Sequence, residues 1–228
     1  VYDTYRHDYG EFITGSTTTR QTSNSGATTL FDSTFYVLTT ARNVYKCLDN
    51  NGGATSTDEP TGVSTSVTTT ADGYRWKYMY TLSAAHQANF LSVDFMAVSP
   101  NSSPGSDQSN VISAAVDGSI DVIKIKSAGS GGTNGTHTNI PIRGDGTGGV
   151  CSVTVSGGAV TAVSVTNAGS GYTFATVSNA QIVAAGATSL AGAELDVIIP
   201  PKGGHGANSR EELGGFFVMM NTSLEGTE

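Results

Sequence analysis

The stretch PPKGGHG (200–206) concentrates the residue types that could do chemistry in this chain. Its histidine, His205, stands among Gly203, Gly204 and Gly206, which let the backbone turn tightly or approach a neighbour closely. The two prolines stiffen the entry to this turn. An imidazole in such a place could donate a proton or bind a ligand. Because no partner residue lies nearby in sequence, we interpret the stretch as a structural crossing loop.

Other motifs of known chemistry are incomplete. The run GDGTGG (144–149) has the spacing of a dinucleotide-binding loop, but a strand pattern follows it where such a loop needs a helix. No P-loop and no G-x-S-x-G occurs. His7, Asp8 and Glu11 lie close in sequence, yet a strand would point His7 and Asp8 to opposite faces. The sequence therefore predicts no enzyme, no metal site, no cofactor and no small-molecule substrate.

Cysteine content and charge argue against further classes of protein. Cys47 and Cys151 lie in apolar runs and not in a C-x-x-C pair, so buried free thiols are predicted, with a disulfide left open. The net charge is −8, and the 11 basic residues are scattered, which argues against a nucleic-acid surface. No stretch approaches the length of a membrane span.

The clearest strand signal is DGYRWKYMYTL (72–82). Tyr74, Trp76, Tyr78 and Tyr80 alternate with other residues, so a strand places all four on one face. We interpret them as a packing ridge. A stacking platform for sugars or bases is the alternative, and it requires exposed rings.

Local signals predict the remaining elements. Strands are expected at Thr34–Leu38 and Asn43–Leu48. A short helix is expected after Ser83 as N-cap, and a linker or long loop at 98–110.

The end of the chain, 201–228, carries three expectations. Ser209 with Glu212 matches a capping box, and Gly214-Gly215 limits the helix to about one turn. The apolar run FFVMM, which begins with Phe216 and Phe217, is expected to form a strand that is covered or paired.

An internal repeat organises the middle of the chain. DGSIDVIKIKSAGSGGT (117–133) aligns with GGAVTAVSVTNAGSGYT (157–173) at an offset of 40 residues. The glycines of Ala-Gly-Ser-Gly are interpreted as strand-ending turns in two similar β units that pack against each other. Tyr172 replaces Gly132 of the first copy, so Tyr172 either packs on its own repeat or faces a partner.

These patterns predict a mainly β protein, with a β-sandwich-like domain, a short helical element and an inserted glycine-rich β module. The expected divisions are 1–110 and 111–200, followed by 201–228 returning to the first domain. Because the chain begins with Val1 and already reads as strand there, we expect a piece of a longer product.

Three stretches resemble a known family. NVYKCLDNNGGATSTDEPTG, TTADGYRWKYMYTLSAA and PPKGGHGANSREELGGFFVMMN are similar to the baseplate wedge subunit of gene 8 type in T-even-like contractile-tailed bacteriophages, in the version of cyanobacterial phages. The resemblance covers the first and last thirds of the chain. The glycine-rich middle resembles an insertion module of phage tail proteins.

The resemblance implies a structural virion protein of the tail baseplate, assembled in the host cytoplasm, that forms a homodimer and contacts other wedge subunits. It implies a β-sandwich with a smaller helical part and no catalytic residues. The alternatives are a carbohydrate-binding or glycan-cleaving tail module and a surface-layer or adhesin domain. Structural or interface roles are expected for Tyr74, Trp76, Tyr78, Tyr80, Tyr172, Gly203, Gly204, His205, Gly206, Phe216 and Phe217.

Overall fold

The structure is a computed structural model that describes residues 2–3, 17, 35–93, 95–215, 218–224 and 226. In these ranges the chain is mainly β, with several antiparallel sheets and few helices, as the sequence predicted. The strands are β1 (Tyr2–Asp3), β2 (Phe35–Leu38), β3 (Asn43–Asp49), β4 (Thr68–Thr69), β5 (Arg75–Thr81), β6 (Ile123–Ser130), β7 (Gly135–Pro141), β8 (Arg143–Gly144), β9 (Val150–Ser156), β10 (Ala159–Asn167), β11 (Ala175–Thr176) and β12 (Ala191–Val197). The α-helices are α1 (Ala84–Phe90), α2 (Ser106–Ala114), α3 (Asn179–Ala184) and α4 (Ser209–Glu212), and a 3₁₀ helix spans Asn51–Gly53.

The first sheet has five antiparallel strands in the order β1-β2-β3-β5-β4. A tight turn joins β2 to β3, where Arg42 takes a positive φ of 64° and its N–H donates to the Thr39 carbonyl. The predicted strands Thr34–Leu38 and Asn43–Leu48 are therefore confirmed within one residue at each end, with Thr34 outside the described residues.

A bulge in β5 corrects the prediction that Tyr74, Trp76, Tyr78 and Tyr80 share one face. Val44 pairs with Tyr80 and Tyr45 pairs with Tyr78, so Met79 is an extra residue in β5. Adjacent residues of a strand face opposite sides, and paired residues share a side. Tyr80 therefore packs in a different apolar cluster from Tyr78. Alternation alone does not reveal an inserted residue of this kind.

The glycine-rich module exchanges strands between its two copies. β6 of the first copy pairs with β12 of the second, whereas β9 of the first pairs with β10 of the second and with its own β7. A two-stranded ladder of β8 and β11 completes the module. One continuous apolar cluster fills its interior, from Ile120 to Val197.

Matching glycines adopt matching conformations in the two copies. Positive φ angles occur at both members of each pair separated by 40 residues, Gly118 and Gly158, Gly129 and Gly169, and Gly131 and Gly171. The turns also bond reciprocally. Gly132 N donates to Gly158 O at 2.9 Å, and Tyr172 N donates to Gly118 O at 3.2 Å. The copies therefore form a paired β unit with approximate internal symmetry.

Two helices bear on the predictions for residues 83–114. The α1 helix begins as expected, since the Ser83 side chain accepts from His86 N. The predicted linker at 98–110 is wrong from residue 106 onward, where α2 forms and buries Gln108 and Val111. Gln108 Nε2 donates to Ser209 Oγ at 3.2 Å. Buried contacts of this kind stabilise a helix in a polar segment whose local pattern predicts a loop.

The C-terminal part differs from its predictions in two ways. The α4 helix is one turn long as expected, but Asn208 caps it, and the Glu212 side chain turns into the protein. Phe216 and Phe217 lie outside the described residues. The remaining residues of FFVMM, 218–220, form no strand, and Val218 and Met220 are exposed.

Candidate functional site

The crossing loop 200–206 fits tightly against the start of the glycine-rich module. Gly203 N donates to Asp117 Oδ1 at 2.6 Å. A Cβ added to Gly204, at φ +95°, would lie 2.4 Å from the Val116 carbonyl oxygen. No other residue type fits this approach without moving backbone. The two glycines thus hold the loop against the backbone that leads into β6.

His205 and Glu212 form a buried pair beneath this loop. His205 Nδ1 lies 2.6 Å from Glu212 Oε1, and both side chains are at most 2% exposed. Lys46 Nζ, on β3 of the five-stranded sheet, lies 3.2 Å from the same oxygen. Gly206 N donates to the other oxygen, Oε2, at 2.7 Å. The carboxylate therefore joins the first sheet, the crossing loop and α4.

The environment of Glu212 keeps its carboxyl group ionised. Burial by itself raises its pKa, but the hydrogen bond from His205, the charges of Lys46 and His205, and the bond from Gly206 N lower that pKa to about 2. An ionised carboxylate only accepts hydrogen bonds. His205 therefore carries a proton on Nδ1 and directs Nε2 away from Glu212.

A carboxylate that orients an imidazole also occurs in nucleophilic catalysis. Such catalysis needs a hydroxyl or thiol bound to the second ring nitrogen. In the described part of the chain, Nε2 of His205 is buried and has no hydrogen-bond partner. The described residues thus form no triad around His205, and the contacts of the loop are those of a structural crossing.

Sequence reasoning missed both partners of His205. Glu212 matched a capping box, and Lys46 alternates on a strand in the manner of an ordinary polar residue. Lys46 is 166 positions from Glu212, and no local signal connects positions so far apart. The spacing of His205 and Glu212 across a one-turn helix was the only available indication.

A cleft of about 420 Å³ opens beside His205. Lys77 of β5 lines it and is buried, and its Nζ donates to Thr65 O at 2.6 Å. Burial lowers the pKa of Lys77, whereas the charges of Asp121 and Glu212 act in the opposite direction. Residues 114–116, at the end of α2 and directly after it, form another wall together with Asp121. The cleft thus lies between the five-stranded sheet and the glycine-rich module.

The four aromatic residues of the 74–80 strand are core residues. Tyr74, Trp76, Tyr78 and Tyr80 are each at most 2% exposed. Tyr74 and Trp76 stack with ring centroids 5.5 Å apart. The Tyr74 hydroxyl donates to Ala54 O in the polar loop that follows β3. Buried rings offer no face to a sugar or base, so this strand is not an exposed stacking platform.

Tyr172 is also buried, and it packs on the other repeat. Its hydroxyl donates to Ile142 O and accepts from Gly149 N, both at 3.1 Å. Its ring lies against Gly146, where an added Cβ would be 2.4 Å from the ring. The glycine run 144–149 therefore surrounds Tyr172, and β9 follows that run as expected. The interpretations from sequence, that Tyr172 packs on its own repeat or faces a partner, are both wrong, because the ring is buried against the first copy.

Large apolar side chains remain exposed near the C-terminal end. Val218, Met220 and Leu224 are 89%, 91% and 90% exposed. Asn221 Nδ2 donates to Asn89 O at 2.7 Å, which places this segment beside α1. Val93, shortly after α1, is 93% exposed. Phe216 and Phe217, the other candidates in this region, lie outside the described residues.

Both cysteines of the chain lie in the described residues. Cys47 is half-buried and Cys151 is buried, both are free, and burial raises their pKa values to about 12 and about 11. Across the described ranges, no three His, Cys, Asp or Glu side chains group as a metal site. Nor does any helix in those ranges have the length and apolar character to cross a membrane.

Comparison of the chain with family models, curated proteins and solved structures found no match.

Proposed function

We propose that this protein is a structural component of a contractile-tail baseplate wedge. It acts through protein–protein interfaces in assembly and in triggering sheath contraction. In this proposal it forms a homodimer, contacts other wedge subunits and resides in the tail baseplate of the virion. Three stretches of sequence that resemble the gene 8 type wedge subunit motivate the proposal.

The observation that carries the proposal is the exposed apolar surface at the C-terminal end. Val218, Met220 and Leu224 present their side chains to solvent within seven positions, and Val93, four positions after the Asn89 that Asn221 contacts, does the same. Grouped apolar side chains on a surface mark sites of protein contact. By contrast, the aromatic side chains of the 74–80 strand and His205 of the GGHG loop pack inside the protein. Among the described residues, the exposed segment is thus the part best suited to a partner.

The first test is whether the protein is part of the particle. Mass spectrometry of tailed virions purified from the source of the sequence should find it in intact tails and in isolated baseplates. Its absence from virions contradicts the proposal.

A second test addresses the exposed surface. A variant with Val218→Ser, Met220→Ser and Leu224→Ser should fold normally, because surface substitutions change stability by only about 0.5 kcal/mol each. It should fail to enter assembled wedges, which sedimentation of reconstituted baseplates would measure. Phe174→Ser is the matched control, since Phe174 is 60% exposed but lies in the glycine-rich module. Normal incorporation of the triple variant contradicts a role for this surface.

A further inference from the structure

Two Asn-Gly sequences occur in the chain, Asn51-Gly52 and Asn134-Gly135. An asparagine before a glycine is especially labile. The backbone nitrogen of the glycine can attack the side-chain amide carbon, and the glycine has no side chain to hinder the approach. Both asparagines are exposed. The two sites share this covalent chemistry, so the surrounding structure decides where the reaction takes place.

The Asn51-Gly52 pair forms the centre of a tight turn after β3. Asn51 and Gly52 have φ angles of 47° and 67°, and Gly53 N donates to Asn50 O at 3.0 Å. A second bond runs from Ala54 N to Asn51 O, so Gly52 N takes part in neither bond of the turn. A Cβ built on Gly52 or Gly53 would find no atom within 4 Å. The attacking nitrogen is therefore not held by the turn, and the turn has room to rearrange.

One exposed hydrogen bond holds the Asn51 side chain. Its Nδ2 donates to the carbonyl oxygen of Asp72 at 3.0 Å. Because this contact lies at the surface, water can replace it, and the net free energy lost with such a bond is small. The amide carbon of Asn51 can therefore turn toward Gly52 N without disturbing the core.

The Asn134-Gly135 pair, by contrast, belongs to a β-sheet. Gly135 is the first residue of β7 and pairs with Val155 of β9. Asn134 Oδ1 accepts from Gly158 N at 3.0 Å, in the turn between β9 and β10. A five-membered ring that joins residues 134 and 135 must displace backbone at the edge of this sheet. Local opening of the sheet has to precede the reaction there.

We propose that Asn51 is a site of spontaneous deamidation in the folded protein. The nitrogen of Gly52 loses its proton to solvent and attacks Cγ of Asn51. The bond from Cγ to Nδ2 breaks, and ammonia leaves with a proton taken from water. Water then opens the cyclic imide at either carbonyl and yields aspartate or isoaspartate, so that one water is consumed for each ammonia released. This modification is independent of the proposed role in the baseplate.

The reaction changes the contact between two turns. It replaces the amide of Asn51 with a carboxylate, which cannot donate to Asp72 O. It also adds a negative charge close to Asp49, whose Oδ1 accepts from Asn51 N at 3.0 Å. The modified protein is therefore more acidic and lacks the hydrogen bond from position 51 to Asp72.

Peptide mapping of the complete, folded chain by mass spectrometry tests the site. Samples are incubated at neutral pH and digested under mildly acidic conditions, and aspartate and isoaspartate at positions 51 and 134 are followed with time. We expect Asn51 to convert about tenfold faster than Asn134, since the paired backbone at Asn134 must open first. No conversion at Asn51, or a rate at Asn134 that equals or exceeds it, overturns the proposal.

Comparison of Gly52→Ala with Gly53→Ala tests the attacking atom. Both glycines are exposed, have a positive φ and face open space. Both alanines therefore strain the turn, but only Gly52→Ala places a methyl group beside the attacking nitrogen. We expect deamidation of Asn51 to slow about tenfold in Gly52→Ala and to change little in Gly53→Ala. An unchanged rate in folded Gly52→Ala, or an equal decrease in Gly53→Ala, overturns the assignment.

Discussion

A single carboxylate, that of Glu212, determines how the crossing loop is held. It accepts from His205, Lys46 and Gly206 N while nearly excluded from water. Burying a charge is costly unless it is paired and hydrogen-bonded. Here three donors satisfy the two oxygens, so the group can remain ionised inside the protein. Removal of its charge should therefore affect stability more than the loss of an exposed carboxylate.

The stability of the protein should depend on pH through Glu212. Its pKa is about 2 when folded against 4.5 as the ordinary value, so its ionised form stabilises the folded state above pH 4.5. That stabilisation is lost as pH falls from 4.5 toward 2. Glu212→Gln should cost roughly 3 kcal/mol at neutral pH and should flatten the pH dependence in that window. Urea unfolding across a pH series measures both effects.

Glu211→Gln is the control for this prediction. The Glu211 side chain is 54% exposed beside Arg210, so its loss should change stability by less than about 1 kcal/mol. Equal pH profiles for Glu212→Gln and the unmodified chain would show that Glu212 is not the titrating group.

At the scale of elements, the repeat depends on glycines that the two copies share. Gly169 has a φ of 63°, and a Cβ there would lie 2.5 Å from Thr147 O. Its counterpart Gly129 would place a Cβ 2.7 Å from Ala191 O. Both turns therefore need glycine for its conformation and for its lack of a side chain. Gly157, in the turn between β9 and β10, needs it for conformation alone.

Comparison of Gly169→Ala with Gly157→Ala separates these two requirements. Both positions have a positive φ, which costs an alanine about 1 kcal/mol. Only Gly169→Ala forces a Cβ into neighbouring backbone, so it should cost roughly 1–3 kcal/mol more. Chemical denaturation of the two variants gives the difference. Equal destabilisation of the two variants would mean that the close backbone approach at Gly169 does not contribute to the cost of the substitution.

At the scale of the whole molecule, the crossing loop joins the five-stranded sheet to the glycine-rich module. Gly204 packs on Val116, and His205 reaches Lys46 of β3 through Glu212. Arg75 of β5 adds a direct link, since its Nη2 donates to Val163 O at 3.0 Å. These contacts are few compared with the interior of either part. Cooperative unfolding should therefore be sensitive to the loop.

Gly204→Ala should uncouple the two parts, because its Cβ would strike the Val116 backbone. Trp76 is the only tryptophan and reports on the five-stranded sheet, whereas far-ultraviolet circular dichroism reports on all strands. The two signals should coincide during unfolding of the unmodified chain and separate in Gly204→Ala. Gly203→Ala is the control, as its Cβ would meet only the Ala207 side chain at 3.0 Å. Coincident transitions in Gly204→Ala would contradict a coupling role.

Much of the fold could be predicted because its signals are local. The alternation in β5 and the Ser83 cap of α1 depend on residues a few positions apart. The repeat is visible because the same local pattern of strand and glycine turn occurs twice, 40 positions apart. The α2 helix could not be predicted, since buried contacts of Gln108 and Val111 outweigh the local preference of a polar segment. The bulge at Met79 could not be predicted either, because the pattern of a strand does not show which residue lacks a partner in the pairing.

The sequence by itself determined a mainly β chain, a duplicated glycine-turn unit and the conformational demands of GGHG. Only the tertiary structure decided what those features do. It exchanged strands between the two copies, buried Tyr172 in a glycine run of the other copy, and brought Lys46 to Glu212. The physical reason is separation along the chain: burial and charge pairing act through space, and residues 166 positions apart leave no shared local pattern.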